Sequence, residues 1–388
     1  MVVYDVHKNK LIEDENICKT MNFPEKMNNF ERLILSPGFV DLHTHVRLNE
    51  GEDYNTLSKA AISGGFLILN IQPNTRPLID NEDVLNDHVN LSTKSEVVYN
   101  YTLSLFGLVN DINSLSQSLR SKVTGFSTDG IRYHSEDLVK AFSTKKPTMV
   151  FDHSQLYEIL GDFYVGSNLP NSFRTYSNEC IAIFRTVMTG LEYGFSCFHI
   201  QHVSTLESLE TITYLRKFAK ISCELTPHHS FFTPNMIKHP NQKINPPISK
   251  YRDELIQALK KGIINCFATD HAPHPEKPLK YEDAPYGSSH IEVAFSVYLT
   301  VFSDIRLVLE NLTRNPLHVL SRSYTDFGLQ FPKDAVLIDP EAEYMVEASR
   351  FFSKGKNCAF DGYKLKGKIL GVRKNGRWVY WNGEFIDE

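Results

Sequence analysis

Short apolar runs rich in β-branched and aromatic residues recur eight times along the chain, and each predicts a buried strand. They lie at 37–46 (PGFVDLHTHV), 64–71 (GGFLILNI), 96–106 (EVVYNYTLSLF), 122–129 (KVTGFSTD), 147–153 (PTMVFDH), 196–203 (SCFHIQHV), 219–228 (AKISCELTPH) and 263–271 (IINCFATDH). Between most of them apolar residues return every three to four positions, as in 178–193 and 206–218, which predicts amphipathic helices. Eight strands alternating with helical crossovers point to an α/β protein of the (β/α)8 TIM-barrel type rather than a sandwich.

The two ends of the chain follow another rhythm. Residues 1–36 and 334–388 carry short alternating runs (AVLIDP, KILGVR, RWVYWNG) broken by Gly, Asn and Lys turns. They are expected to form one small β domain together, flanking a catalytic barrel at 37–333. The 388 residues suffice for such a barrel of roughly 250 residues plus that companion.

Composition narrows the class. With 41% hydrophobic and 22% charged residues the chain reads as an ordinary soluble globular protein, and no stretch approaches the ~20 apolar residues of a membrane helix. The start MVVYDVHKNK lacks the basic and apolar regions of a secretion signal, so a cytoplasmic location is expected. A formal charge of -5 offers no basic footprint for nucleic acid. Six cysteines (Cys18, Cys180, Cys197, Cys223, Cys266, Cys358) are scattered without CxxC pairs and are expected to be buried thiols.

The chemistry is concentrated where the predicted strands end. In a barrel of this type functional groups gather at the C-terminal ends of the strands. Here the first strand ends in His43 and His45, the fourth in Asp129, the fifth in His153, the sixth in His202, the seventh in His228 and His229, and the eighth in Asp270 and His271. His43 and His45, two apart, fall on one strand face. So many imidazoles and carboxylates closing otherwise apolar strands predict a shared metal centre. Without clustered thiolates, this donor set suits a catalytic zinc with a position open to water rather than a closed structural site. Asp270 is then the expected general base, able to move a proton from water to a leaving nitrogen. Arg47, two residues after a candidate ligand, offers a planar fork of donors suited to a substrate carboxylate.

The segments PGFVDLHTHVR (37–47), QPNT (72–75), HVSTLE (202–207), TPHH (226–229), NPP (245–247), ATDHAPH (268–274) and FDGYKLKGKIL (360–370) together resemble the successive motifs of class I dihydroorotases in the amidohydrolase superfamily. The resemblance runs over nearly the whole chain. It implies a metal centre of His43, His45, Asp129, His153, His202 and Asp270 holding one or two Zn2+ ions per subunit. Asp129 matches the aspartate that many class I enzymes carry where other superfamily members use a carboxylated lysine. The resemblance also implies Arg47, Asn74 and His274 on the substrate carboxylate, Asn245 near the ring, and backbone groups of Pro285, Tyr286 and Gly287 reading the ring. The implied reaction is the reversible interconversion of L-dihydroorotate and N-carbamoyl-L-aspartate, running toward ring closure in pyrimidine biosynthesis. A homo-oligomer and association with aspartate transcarbamoylase are both compatible with it.

Three departures touch the substrate side: Gln72 stands where methionine is usual, Thr128 replaces a frequent aspartate, and NPP continues as Ile-Ser-Lys. Two alternatives stay open, a hydantoinase or allantoinase and a noncatalytic subunit supporting aspartate transcarbamoylase. Asp129 and Arg47 weigh against the first, and the filled ligand positions against the second. His134, His199, His228, His229 and His290 receive no catalytic assignment, although one of the pair His228 and His229 would suit an outer partner of a liganding histidine.

Overall fold

A computed structural model describes residues 1–14, 16–24, 32–48, 51–167 and 171–386; the remaining parts of the two terminal segments, 15, 25–31 and 387–388, lie outside the described residues. The N-terminal strands are β1 (Val2–Asp5), β2 (Lys10–Glu13) and β3 (Ile34–Pro37). Eight strands follow: β4 (Phe39–Thr44), β5 (Phe66–Ile71), β6 (Val98–Ser104), β7 (Val123–Ser127), β8 (Val150–Asp152), β9 (Cys197–Ile200), β10 (Lys220–Leu225) and β11 (Cys266–Phe267). The C-terminal strands are β12 (Ala335–Met345), β13 (Lys364–Lys374), β14 (Arg377–Trp381) and β15 (Glu384–Phe385).

Strands β4 to β11 pair in parallel, each with its neighbour in sequence. The sheet closes where Thr44 bridges His271, with His45 N donating to His271 O (2.9 Å) and Asp270 N donating to His43 O (2.9 Å). The (β/α)8 barrel expected from the alternation is therefore present. Every residue of β4 and β5 is buried, as covered parallel sheets require, which explains why these strands read as continuous apolar runs.

The last barrel strand is shorter than its apolar run. Two residues pair as β11; beyond them Thr269 turns its backbone N–H (2.9 Å) and its hydroxyl (2.5 Å) onto the Asp41 carboxylate, and Asp270 adopts φ 51°. Side-chain bonds to Asp41 thus hold the chain between the end of β11 and the closing bridge at His271.

The second sheet has the order β15-β14-β13-β12-β3-β1-β2 and draws on both chain ends. The joint is the antiparallel pairing of β3 with β12, Ala335 opposite Pro37 and Ile338 opposite Ile34. Its outer face carries a small core of its own, in which Trp378, Trp381, Met21, Leu35 and Leu337 pack together and Trp378 Nε1 donates to Met21 O (2.9 Å). The helix Ala294–Phe302 joins sheet to barrel: Phe295 stacks on Phe39 of β4 at 5.5 Å, and Ser296 Oγ donates to Gly367 O in β13 (2.6 Å).

All six cysteines are free thiols; Cys223, Cys266 and Cys358 are buried, whereas Cys18, Cys180 and Cys197 are only partly so, because they sit on outward-facing or terminal positions of their elements. Among the described residues no helix is long and apolar enough to cross a membrane.

Candidate metal centre and substrate pocket

Strand β4 delivers His43 and His45 to one end of the barrel, and each imidazole is oriented by a different partner. His43 Nδ1 donates to Glu224 Oε1 at 2.6 Å, and His45 Nδ1 donates to Asn74 Oδ1 at 2.6 Å. A ring that donates from Nδ1 keeps its Nε2 lone pair available. Both Nε2 atoms approach Asp270 Oδ1, at 3.5 Å from His43 and 3.1 Å from His45. Asp129, two residues beyond β7, accepts from Asn74 Nδ2 at 3.3 Å. His43, His45 and Asp129 offer ligand atoms that all lie within 4.8 Å of one another.

His153 and His202 complete the cluster. Their rings meet edge to face at 4.5 Å, and His202 lies 5.2 Å from the His43 ring, with its backbone at φ 34°. Left-handed backbone at two non-glycine residues, His202 and Asp270, is strain of the kind that concentrates at functional sites. His43 Nε2, His153 Nδ1, His202 Nε2 and Asp129 Oδ2 are buried polar atoms without a hydrogen-bond partner among the described residues. Buried groups are rarely left so. Imidazole lone pairs and carboxylate oxygens converging without partners form a donor set that a divalent cation would complete.

The electrostatics agree. Burial, then the neighbouring His153 and His43, hold His202 well below the usual imidazole range, and burial lowers His153 as well, so both rings stay neutral with lone pairs to offer. Burial also opposes charge on His43, but Glu224 and Asp270 outweigh it and raise the group to about 10. Glu224 moves the other way, to about 2: burial raises it, and the charge of His43 with hydrogen bonds from His199 and His43 overcomes this. At Asp270 burial is likewise outweighed, by His43 and His45, leaving the carboxyl below its usual range. The carboxylates gathered here favour positive charge, which a metal cation can provide in place of a proton.

A cavity of about 240 Å³ opens on this cluster, lined by Arg47, Asn74, Asn245, Tyr286 and Gly287 together with His45, Asp129, His153 and Asp270. Two residues assigned to the substrate from the sequence do not line it. His274 stands behind the wall with Nε2 donating to Tyr286 O (2.8 Å), and Pro285 faces outward. Burial and Arg47 lower the His274 pKa to about 4. Asn74 lines the cavity, but its amide is already engaged by His45 and Asp129.

Several residues important to this geometry received no role from the sequence. Asp41, fully buried, gathers His43 N, Thr269 N and the Thr269 hydroxyl and so pins β4 to the segment that carries Asp270. Glu224, also fully buried, spans His43 Nδ1 and His199 Nε2 (2.8 Å) and accepts from His202 N (3.2 Å). The available signal was a carboxylate inside an otherwise apolar strand run. Neither His228 nor His229 lies behind a candidate ligand ring in this way: His229 bonds Thr226 and Pro246 O, and His228 Nε2 lies 3.8 Å from Asp270 Oδ2.

No family model matches the sequence. Among known proteins, the chain is 48% identical over 389 residues to a Thermotoga maritima protein provisionally named a dihydroorotase, covering 100% of this chain and 98% of the relative. It is 31% identical over 392 residues to the dihydroorotase of Aquifex aeolicus, covering 94% and 92%. Among solved structures it resembles the L-hydantoinase of Arthrobacter aurescens (TM-score 0.75, 20% identity, 92% of this chain and 87% of that one). A dihydropyrimidinase from Brevibacillus agri is similar to the same degree (TM-score 0.76, 17% identity, 99% and 95%). At such identities the structures speak for the fold alone.

Proposed function

Because the chain belongs to the dihydroorotase family and is a cyclic-amide hydrolase, we propose that it interconverts L-dihydroorotate and N-carbamoyl-L-aspartate, working toward ring closure in pyrimidine biosynthesis. The observation that carries this reading is one small cavity lined by His45, His153, the Asp270 carboxylate and the Arg47 guanidinium, with nitrogens of His43, His153 and His202 left without partners among the described residues. A neutral cyclic ureide has no use for an arginine at that place, whereas both proposed reactants carry a carboxylate.

His43, His45, Asp129, His153, His202 and Asp270 would hold zinc, one or two ions per subunit. The chemistry such a centre supplies is polarisation of the ring carbonyl and a water pKa lowered to about 7. Arg47 binds the substrate carboxylate and fixes the ring against the cluster, with Asn74 adjoining it; His274 acts from behind, through Tyr286 O. The backbone at Tyr286 and Gly287 and the side chain of Asn245 face the rest of the ring. Asp270 takes the proton from the attacking water and delivers it to the ring nitrogen; in the closing direction it removes that proton from the ureido nitrogen. We assign this catalytic unit to residues 37–333, with 1–36 and 334–388 forming the companion sheet.

The test is metal content by elemental analysis beside turnover of both reactants, in wild type and Asp270→Ala. Wild type carrying zinc and converting both reactants, with turnover falling by about 10²–10⁴ in the variant, is the expected result. Metal-loaded wild type that ignores both but opens hydantoin or allantoin would overturn the proposed substrate.

A further inference from the structure

Arg174 is an unusual residue to find buried behind Gln155, which lines this cavity. It is 1% exposed, held by backbone pairing with Phe163 (Arg174 N to Phe163 O, 3.1 Å) and Val165 (Val165 N to Arg174 O, 2.9 Å), and forms no ion pair among the described residues. A buried guanidinium without a directly paired carboxylate is costly; the buried Glu179 carboxylate favours its charge only through space. Among the described residues the one side-chain hydrogen bond of Arg174 runs from Nη2 to Gln155 Oε1, at 3.2 Å. The same Oε1 accepts from Asn245 Nδ2 at 2.9 Å, and Nδ2 lies 3.5 Å from His153 Nε2.

This chain of contacts can be ordered by chemistry alone. An amide side chain can turn either end toward a neighbour, but a guanidinium can only donate. Arg174 therefore requires the oxygen of Gln155, not its nitrogen. That oxygen in turn requires the nitrogen of Asn245. Two atoms are left over, Gln155 Nε2 and Asn245 Oδ1; neither has a partner among the described residues, neither is a fully enclosed atom, and both residues line the cavity.

Resting on the functional reading above, we infer that Arg174 and Gln155 fix the polarity of the cavity wall, so that it presents one N–H donor from Gln155 and one carbonyl acceptor from Asn245 to the amide edge of a cyclic ureide. Such an edge carries C=O and N–H side by side and is matched by a donor and an acceptor; a wall free to flip would lose that match in part of the molecules. Arg174 is thus a positioning residue acting through Gln155 on Asn245, and Gln155 is a specificity residue that touches the ligand.

The test compares the metal-loaded full chain with Gln155→Glu, Arg174→Gln and Arg174→Lys, measuring kcat and KM for L-dihydroorotate, metal content and melting temperature. Gln155→Glu keeps the oxygen that Arg174 and Asn245 need but replaces the donor facing the ligand, so KM rises about tenfold to a hundredfold while kcat changes less than about threefold and metal content is unchanged. Arg174→Gln, which lets the wall flip, raises KM in the same way, and Arg174→Lys, again a donor-only cation, recovers part of the loss. A KM for Gln155→Glu within about twofold of wild type overturns the inference, because a lost or repelled ligand contact costs more than that. Should Arg174→Gln fail to fold, Gln155→Glu decides alone. Inactivity of wild type toward L-dihydroorotate would be a failure of the functional reading instead. Neutron diffraction of the ligand-free protein then decides the polarity: deuterium on Asn245 Nδ2 pointing at the Gln155 oxygen supports it, and an amide nitrogen of Gln155 turned toward Arg174 overturns it.

Discussion

Glu224 Oε1 and His43 Nδ1 lie 2.6 Å apart with both side chains wholly excluded from solvent. A buried carboxylate on strand β10 thus sets the tautomer of an imidazole on strand β4, across the interior of the barrel. The proton is held on Nδ1, and Nε2 is turned toward Asp129 and Asp270.

Replacing that carboxylate should loosen the metal without touching the cavity. Glu224→Gln leaves a weaker acceptor for His43 and sets an amide N–H₂ against His199, so metal affinity should fall by about 10–100-fold. Competition against a chelator measures this directly. Unchanged affinity would mean that the His43 tautomer is set by other groups.

Asn74 joins His45 to Asp129, so its loss should be felt at the metal as well as at the substrate. Asn74→Ala is expected to weaken metal retention several-fold in addition to raising KM. A residue serving the substrate alone would raise KM and leave the chelator titration where it was.

Metal removal should destabilise the folded chain, since the ligands are brought together by folding and a cation bound only to the native state adds stability by mass action. With free metal at about a thousand times its dissociation constant this amounts to about 4 kcal/mol. Thermal melts with and without chelator read it; coincident melting curves would show that the cluster does not bind the ion.

Glu292, which does not line the cavity, gives stability a pH dependence of its own. It accepts from Ser353 N (3.0 Å), Phe352 N (3.1 Å) and the Ser63 hydroxyl (3.1 Å), and its pKa is raised from 4.5 to about 7, burial outweighing those hydrogen bonds. A carboxyl whose folded pKa is raised binds its proton more tightly in the folded state. Its stabilising contribution is complete below about pH 4.5 and is lost as pH rises through about 7, a change on the order of 1–3 kcal/mol. Melting temperature should therefore decline between pH 5 and pH 8, and Glu292→Gln should flatten that decline. An equal slope in the variant would assign the pH dependence to other groups.

Local pattern was enough for much of this protein. Apolar runs of strand length alternating with helical periodicity are imposed by parallel strands buried on both faces, so the barrel could be read one residue at a time. The two-residue spacing of His43 and His45 placed both on one strand face for the same reason, because side-chain direction repeats every second residue. The short last strand could not be read that way, since pairing stops after Cys266–Phe267 and Thr269 turns onto Asp41, more than two hundred positions earlier. Nor could the tautomer of His43, the engagement of Asn74 by two candidate ligands, or the polarity imposed by Arg174 on Gln155 and Asn245. Those are decided by which donor meets which acceptor once distant strands and loops are packed together, and hydrogen-bond partners separated by tens to hundreds of residues leave no periodic trace in the sequence.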